Sequence, residues 1–238
     1  MLLIDVGNSR IKWTVLKGRD ITAVEYLAHK GEPAQALLSL PTEKPAAIWI
    51  SSVAGQAQDA AIAEACTARW QMRPNWARSQ KQFGPVISAY AEAQRLGIDR
   101  WLAMIACFEL SQGSCIVADA GTALTVDVLN EQGQHQGGVI AAGLSTSESA
   151  LLGATRFETR ETVQDAHAGL GLDTESCVRQ GAMLSCLGVL ELLASRAPGA
   201  RRFIGGGDAS TLQPLLSEPW EYRPHMVLEG LAILARDG

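Results

Sequence analysis

No two of the five cysteines, Cys66, Cys107, Cys115, Cys177 and Cys186, stand at C-x-x-C spacing, and their number is odd. That pattern argues against both a disulfide framework and a zinc site, and leaves reduced core thiols as the expectation. The four histidines, His29, His135, His167 and His225, do not cluster at ligand spacing either, so none is assigned to a metal. Basic residues are scattered and the formal charge is −5, so the electrostatic footprint of a nucleic-acid-binding surface is missing. No apolar run reaches the ~20 residues needed to span a bilayer, and the N-terminus has no basic region with a signal-like cleavage site. The expectation is a cytoplasmic protein without membrane or nucleic-acid partners. No segment is of low complexity. With 47% hydrophobic residues and only 19% charged ones, the 238 residues suffice for one large core or two smaller ones.

The order of elements reads as mixed α/β. Short apolar runs over residues 2–5, 11–16 and 21–27, separated by "GNS" and "KGRD", predict three strands in a row. A helix is expected over 33–40, a buried strand over 46–53 and a second helix over 57–70. In "RLGIDRWLAMIACFEL" Trp101, Ile105 and Phe108 share a helical face, and Gly113 with Ser114 breaks the chain beyond it. The opening pattern then returns: "CIVADAGTALTVDVL" repeats an apolar run, an acid, a small residue, a glycine and another apolar strand. Asp5 and Asp119 lie about half a chain length apart. Such spacing predicts a duplicated unit, with domains over 1–113 and 114–238. The second half continues with Gly137 and Gly138, helices over 144–155 and 174–195, a strand in "RRFIGGGD" and a last helix over 227–235.

A turn of small residues after a strand lets backbone N–H groups approach a phosphate closely, and Asn8, Ser9 and Thr122 add short hydrogen-bonding arms. A bare carboxylate would repel that phosphate. Asp5 and Asp119 therefore make sense if a cation lies between acid and phosphate, as Mg²⁺ commonly does. Lys12 adds a positive charge for a polyphosphate. A single D-x-G followed by polar residues also describes a plain turn; two copies at this separation argue for a nucleotide.

"DVGNSRIK", "GIDRW", "DAGTALTVD" and "GGVIAAGL", in this order and at these separations, resemble the type III pantothenate kinases. The resemblance runs over essentially the whole chain. It implies two duplicated RNase H-like domains of the acetate and sugar kinase/actin superfamily, with a nucleotide cleft between them. It also implies transfer of the ATP γ-phosphoryl group to the hydroxyl of pantothenate, the first step towards coenzyme A. Further implications are Mg²⁺, a monovalent cation (K⁺ or NH₄⁺) and a homodimer with pantothenate sites at its interface.

Carried over residue by residue, Asp5, Val6, Gly7, Asn8, Ser9 and Lys12 fall on the family's first phosphate motif, with Asp5 as the Mg²⁺ ligand. Asp119, Gly121, Thr122, Thr125 and Asp127 fall on the second, with Asp119 as the first candidate for the monovalent cation. The family's general base falls on Asp99, whose task is to accept the hydroxyl proton, and the following Arg100 reaches pantothenate or steadies charge on the moving phosphoryl group. Without the resemblance, Asp99 reads as a helix N-cap. Tyr90, Gly97 and Ile98 complete the expected pantothenate pocket, and Thr174 resembles a threonine that contacts pantothenate across the dimer; it or Asp173 otherwise reads as an N-cap. Gly206, in "GGGD", resembles the superfamily's adenosine motif. The chain departs from the pattern at Ala142, where the family commonly has proline, which bears on loop stiffness rather than on a catalytic group. Two rival readings are an accessory regulator of gene expression that does not turn over, against which the retained acids argue, and a metal-dependent nuclease, against which the small-residue turns and the negative charge argue.

Overall fold

The computed structural model describes residues 1–40, 43–155 and 169–237; His167 lies outside them. The chain parts into two compact units, Met1–Glu109 with His225–Gly238, and Leu110–Pro224.

The first unit contains β1 (Leu2–Val6), β2 (Arg10–Lys17), β3 (Asp20–Ile21), β4 (Glu25–Ala28), α1 (Pro33–Leu38), β5 (Ile48–Ser52), α2 (Gln56–Trp70), β6 (Asn75–Trp76), the small ribbon β7 (Gln82–Phe83) and β8 (Val86–Ile87), and α3 (Ile98–Ser111). Its main sheet runs β3-β2-β1-β5-β6, with β4 also on the outer edge of β2. The expected strand over 21–27 is therefore two pieces, because Thr22 breaks the ladder: its hydroxyl accepts the Val15 N–H at 3.1 Å, in place of a backbone carbonyl. One face of the sheet supplies Leu2, Ile4, Val6, Ile11, Trp13, Ile48 and Ile50 to a core closed by Leu37, Ile62, Cys66 and Trp70 of α1 and α2. Period-two alternation puts Leu3 and Asp5 on the other face.

The second unit contains β9 (Cys115–Ala120), β10 (Ala123–Leu129), β11 (His135–Ala142), α4 (Leu144–Ala154), α5 (Thr174–Arg196), β12 (Arg201–Gly205), α6 (Ala209–Leu212) and β13 (Glu221–Tyr222). Its sheet runs β11-β10-β9-β12-β13. The two sheets share one ladder: a central strand antiparallel to its hairpin partner (β1 with β2, β9 with β10) and parallel to the strand that returns on its other side (β5, β12). The duplication expected from the repeated acid is visible strand for strand.

The last helix, α7 (Met226–Asp237), was expected with the second half but packs with the first unit, against β1, β2 and β5. Met226, Val227, Leu228, Leu231 and Leu234 are buried there. Gly230 makes the approach possible, since a Cβ at that position would overlap the Leu102 carbonyl of α3. The expected halving after Gly113 left α7 with the second half, whereas the compact units divide after Glu109 and return His225–Gly238 to the first.

Cys66, Cys107, Cys115 and Cys186 are buried, as expected of core thiols, whereas Cys177 is exposed. Burial pushes the Cys66 thiol up to about 12 and that of Cys115 to about 11. One expectation needs amending. The 23-residue α5 is long and apolar enough to cross a membrane by length and composition alone, with a mean hydropathy of 1.4 over its best window. Val178, Ala182, Met183, Cys186, Leu187 and Leu190 of that helix are buried in the unit, however, as side chains of a core helix are.

Candidate active site

At the end of β1, Gly7 N–H donates to Arg10 O at 3.1 Å and closes the turn into β2. Asn8 and Ser9 are exposed at its tip, and Asp5 is buried one residue inside the strand end. Asp5 is paired in register with Lys12 on β2 and with Ser51 on β5. Directly opposed residues project to one face of a sheet, so the carboxylate, the ammonium and the hydroxyl stand side by side. Ser51 Oγ is fully buried and is among the described side-chain atoms without a hydrogen-bond partner. A buried hydroxyl without a partner is costly; beside a carboxylate it fits an oxygen-rich shell around a hydrated cation.

A second group gathers around the start of α3. Asp99 is not the N-cap that composition suggests: Ile98 opens the helix, and Asp99 lies inside its first turn. Its Oδ1 accepts the Arg100 backbone N–H at 2.8 Å. Gly97 leaves room for that carboxylate, since a Cβ there would stand 2.6 Å from Asp99 Oδ1. The Arg100 side chain is buried and donates from Nη1 to the Tyr90 hydroxyl at 3.2 Å, with its guanidinium carbon 5.9 Å from the ring centre. Tyr90 is set in turn by its loop: Lys81 Nζ donates to Ser88 O at 2.7 Å and to Tyr90 O at 3.1 Å, and Tyr90 N–H donates to Ser88 Oγ at 3.2 Å. Tyr90, Gly97, Asp99 and Arg100 thus form one cluster, tied by Lys81 and Ser88, for which the sequence carried no signal.

In the second unit Asp119 occupies the position of Asp5, one residue inside the end of β9, and faces Thr125 on β10 and Gly205 on β12. Gly121 N–H donates to Ala123 O at 3.0 Å, closing the turn that holds Thr122. Two other loops converge on this end. Gly206 has φ +93° and lies so close that a Cβ would overlap Ala120 O and Asp119 Oδ1. Gly143 abuts the Gly121 carbonyl in the same way, and its N–H donates to Thr122 O at 3.1 Å. Asp208 N–H donates to Ala120 O at 2.9 Å. Burial pushes the Asp208 carboxyl up, against the pull of the Leu144 N–H at the start of α4. Asp127 is set apart from this group: its carboxylate accepts from His135 Nε2 at 2.8 Å, and both side chains are buried.

Thr174 joins none of these clusters. It opens α5, which Asp173 caps by accepting the Ser176 N–H at 2.7 Å. It lines an open groove of about 570 Å³ with Leu151, Leu172, Asp173, Cys177 and Val178. The N-cap alternative weighed for this pair falls to Asp173.

Residues 1–196 match the family model described as type III pantothenate kinase. A curated type III pantothenate kinase of Teredinibacter turnerae is 33% identical over 98% of this chain and 97% of its own length. That of Aromatoleum aromaticum is 34% identical over 100% and 98%. Among solved structures, a Baf family transcriptional activator from Campylobacter jejuni superposes with a TM-score of 0.61 at 20% identity, covering 99% of this chain and 98% of that one. An inorganic polyphosphate/ATP-glucomannokinase from Arthrobacter sp. strain KM gives 0.51 at 12% identity over 99% and 98%. At such identities the structures establish a shared fold alone. With a family model over most of its length and relatives above 30% identity from end to end, the chain belongs to the type III pantothenate kinase family.

Proposed function

We propose that this chain performs its family's reaction with Asp99 as the general base and Arg100 as the anchor of pantothenate. The reaction itself follows from family membership: the enzyme transfers a phosphoryl group from ATP to pantothenate and makes 4'-phosphopantothenate, opening coenzyme A synthesis. The observation that carries the assignment of residues is the lock around Asp99. The Arg100 backbone N–H on the Asp99 carboxylate holds that carboxylate in one orientation, and the Arg100 guanidinium, buried against Tyr90, offers charge for the substrate's carboxylate. Asp99 takes the hydroxyl proton as the oxygen attacks, Arg100 and Tyr90 orient pantothenate, and Gly97 keeps the carboxylate's space clear.

In this reading the turn of Val6, Gly7, Asn8 and Ser9, with Lys12, holds ATP phosphate, Gly121 and Thr122 are phosphate-binding residues, and Gly206 lies against the adenosine. Asp5 and Ser51 hold Mg²⁺, which when bound neutralises phosphate charge. Asp119 holds the monovalent cation, K⁺ or NH₄⁺. The protein works as a cytoplasmic homodimer. Support for the dimer comes from α5, where Cys177, Gly181, Leu184, Gly188 and Leu192 leave one face exposed, and a Cβ at either glycine would meet open space. Ile140 of β11 and Leu151 of α4 are exposed as well. An apolar face of this size suits a second copy, and Thr174 stands at the start of that helix. A regulatory role without turnover is the less favoured reading, since full-length relatives are named as kinases and the acids are retained.

The deciding experiment is Asp99→Asn. Amide for carboxylate keeps the shape but removes the proton acceptor, so kcat for pantothenate phosphorylation should fall by ~10²–10⁴-fold with an unchanged melting temperature. A variant that keeps most of its rate would remove Asp99 as the base, and a fully active monomer in light scattering would remove the dimer.

A further inference from the structure

We infer that His29 is a positioning residue for the phosphate-holding turn, a role that rests on the reading of residues 7–9 given above. His29 follows β4 directly, is buried, and reaches the turn by two routes. Its backbone N–H donates to Ser9 O at 3.3 Å, and its ring Nε2 lies 2.9 Å from Gly7 O. The third contact decides the tautomer. Gly31 N–H donates to Nδ1 at 3.2 Å, so Nδ1 is the acceptor and Nε2 carries the ring hydrogen, which it donates to Gly7 O.

The consequence for the turn follows from peptide geometry. No peptide bond in the described residues is cis, and across a planar trans unit the C=O of one residue and the N–H of the next point in opposite directions. With Gly7 O drawn to His29, the Asn8 N–H faces away from it. A phosphate-holding turn has to present N–H groups and turn its carbonyls aside, because a carbonyl oxygen aimed at the ligand would repel it. Gly7 can flip that peptide more easily than any other residue. The imidazole supplies what the glycine lacks: a donor that fixes the plane in the phosphate-binding sense before nucleotide arrives. His29 touches no substrate in this account; it acts through Gly7.

The test uses the full chain and steady-state kinetics with Mg·ATP and pantothenate varied separately. His29→Leu fills the space without a donor and should raise KM for ATP by roughly tenfold, the scale of one lost hydrogen bond, with KM for pantothenate unchanged. His29→Gln keeps an N–H close to the position of Nε2 and should restore KM for ATP to within about twofold of the parent. If the leucine variant does not fold, His29→Asn, whose amide stops short of Gly7 O, replaces it with the same expectation. An unchanged KM for ATP, an equal rise in both KM values, or a glutamine variant no better than leucine would each overturn the role. Lys12→Ala separates this from failure of the underlying reading: a raised KM for ATP there with none in His29→Leu sinks His29 alone, whereas no effect in either sinks the turn as a phosphate site.

Discussion

The acid-bearing ends of the two sheets are built on one ladder and held in two different ways. Around Asp5 the turn is held by a side chain, the His29 imidazole on Gly7 O, and Gly7 itself has space: a Cβ there would meet only Arg10 O, at 3.4 Å. Around Asp119 the restraint is backbone on backbone, with Gly206 and Gly143 pressed against the carbonyls of Ala120 and Gly121. The crossovers differ in the same spirit. The first unit returns from β4 to β5 through the six-residue α1, the second from β11 to β12 through α4 and the 23-residue α5. Between β5 and β6 the first unit places the 15-residue α2, where the second places the four-residue α6 between β12 and β13. A duplicated ladder thus tolerates change in its helices and in the means of fixing its loops, because the pairing of central strands depends on neither.

The largest effect should separate Gly206 from Gly7. Gly206→Ala forces a Cβ into two neighbouring groups at positive φ, a backbone strain of about 1–3 kcal/mol before the overlap is counted, and should lower the melting temperature by roughly 5 °C or more while abolishing turnover. Gly7→Ala should leave the melting temperature nearly unchanged. Equal thermal shifts for the pair would break the distinction between the two ends.

Cation dependence should sharpen it next. Asp5→Asn removes the charge beside Lys12 and Ser51 and should raise the Mg²⁺ concentration needed for half-maximal rate by about tenfold or more. Asp119→Asn should leave the Mg²⁺ titration nearly unchanged and raise the K⁺ requirement instead. Titrations that respond alike in the two variants would mean that the acids share one role.

The smallest effect concerns the long crossover that only the second unit has. The Ser176 N–H and hydroxyl hold the Asp173 carboxyl below the usual carboxylate range. A lowered folded-state pKa contributes stability above the ordinary carboxylate pKa and loses it as pH falls through the folded value. Asp173→Ala should therefore lower the melting temperature slightly at pH 7, and the difference should shrink as the pH is taken below about 4. A difference that is constant with pH would place the effect in the helix backbone rather than in the cap.

Much of this was legible in the chain alone. Strands of alternating or continuous apolar residues declare themselves by period, so β1, β2, β5, β9 and β10 stand where expected, as do α2 and α5 within a residue or two. The repeat of acid and glycine announced the duplication, because the same short pattern ends the central strand of both ladders. Tyr90, Gly97, Asp99 and Arg100 were named by resemblance alone, and only the fold shows that they stand together, with Gly97 clearing space for Asp99 and Tyr90 receiving Arg100. The two-residue strands β6, β7, β8 and β13 were missed, being too short to carry a period.

Local chemistry, then, determined what can be read within one turn or one strand: which segments are extended or helical, and where an acid and a turn of small residues end a strand. Everything that depends on two distant segments meeting was decided only in three dimensions. The return of α7 to the first unit rests on Gly230 meeting the Leu102 carbonyl, and the loop around Asp119 rests on Gly143 and Gly206, far along the chain. His29 and Ser51 look ordinary in sequence; sheet register brings the one to Gly7 and the other beside Asp5. A hydrogen bond or a steric limit acts over a few ångströms, and only the fold sets which residues come that close.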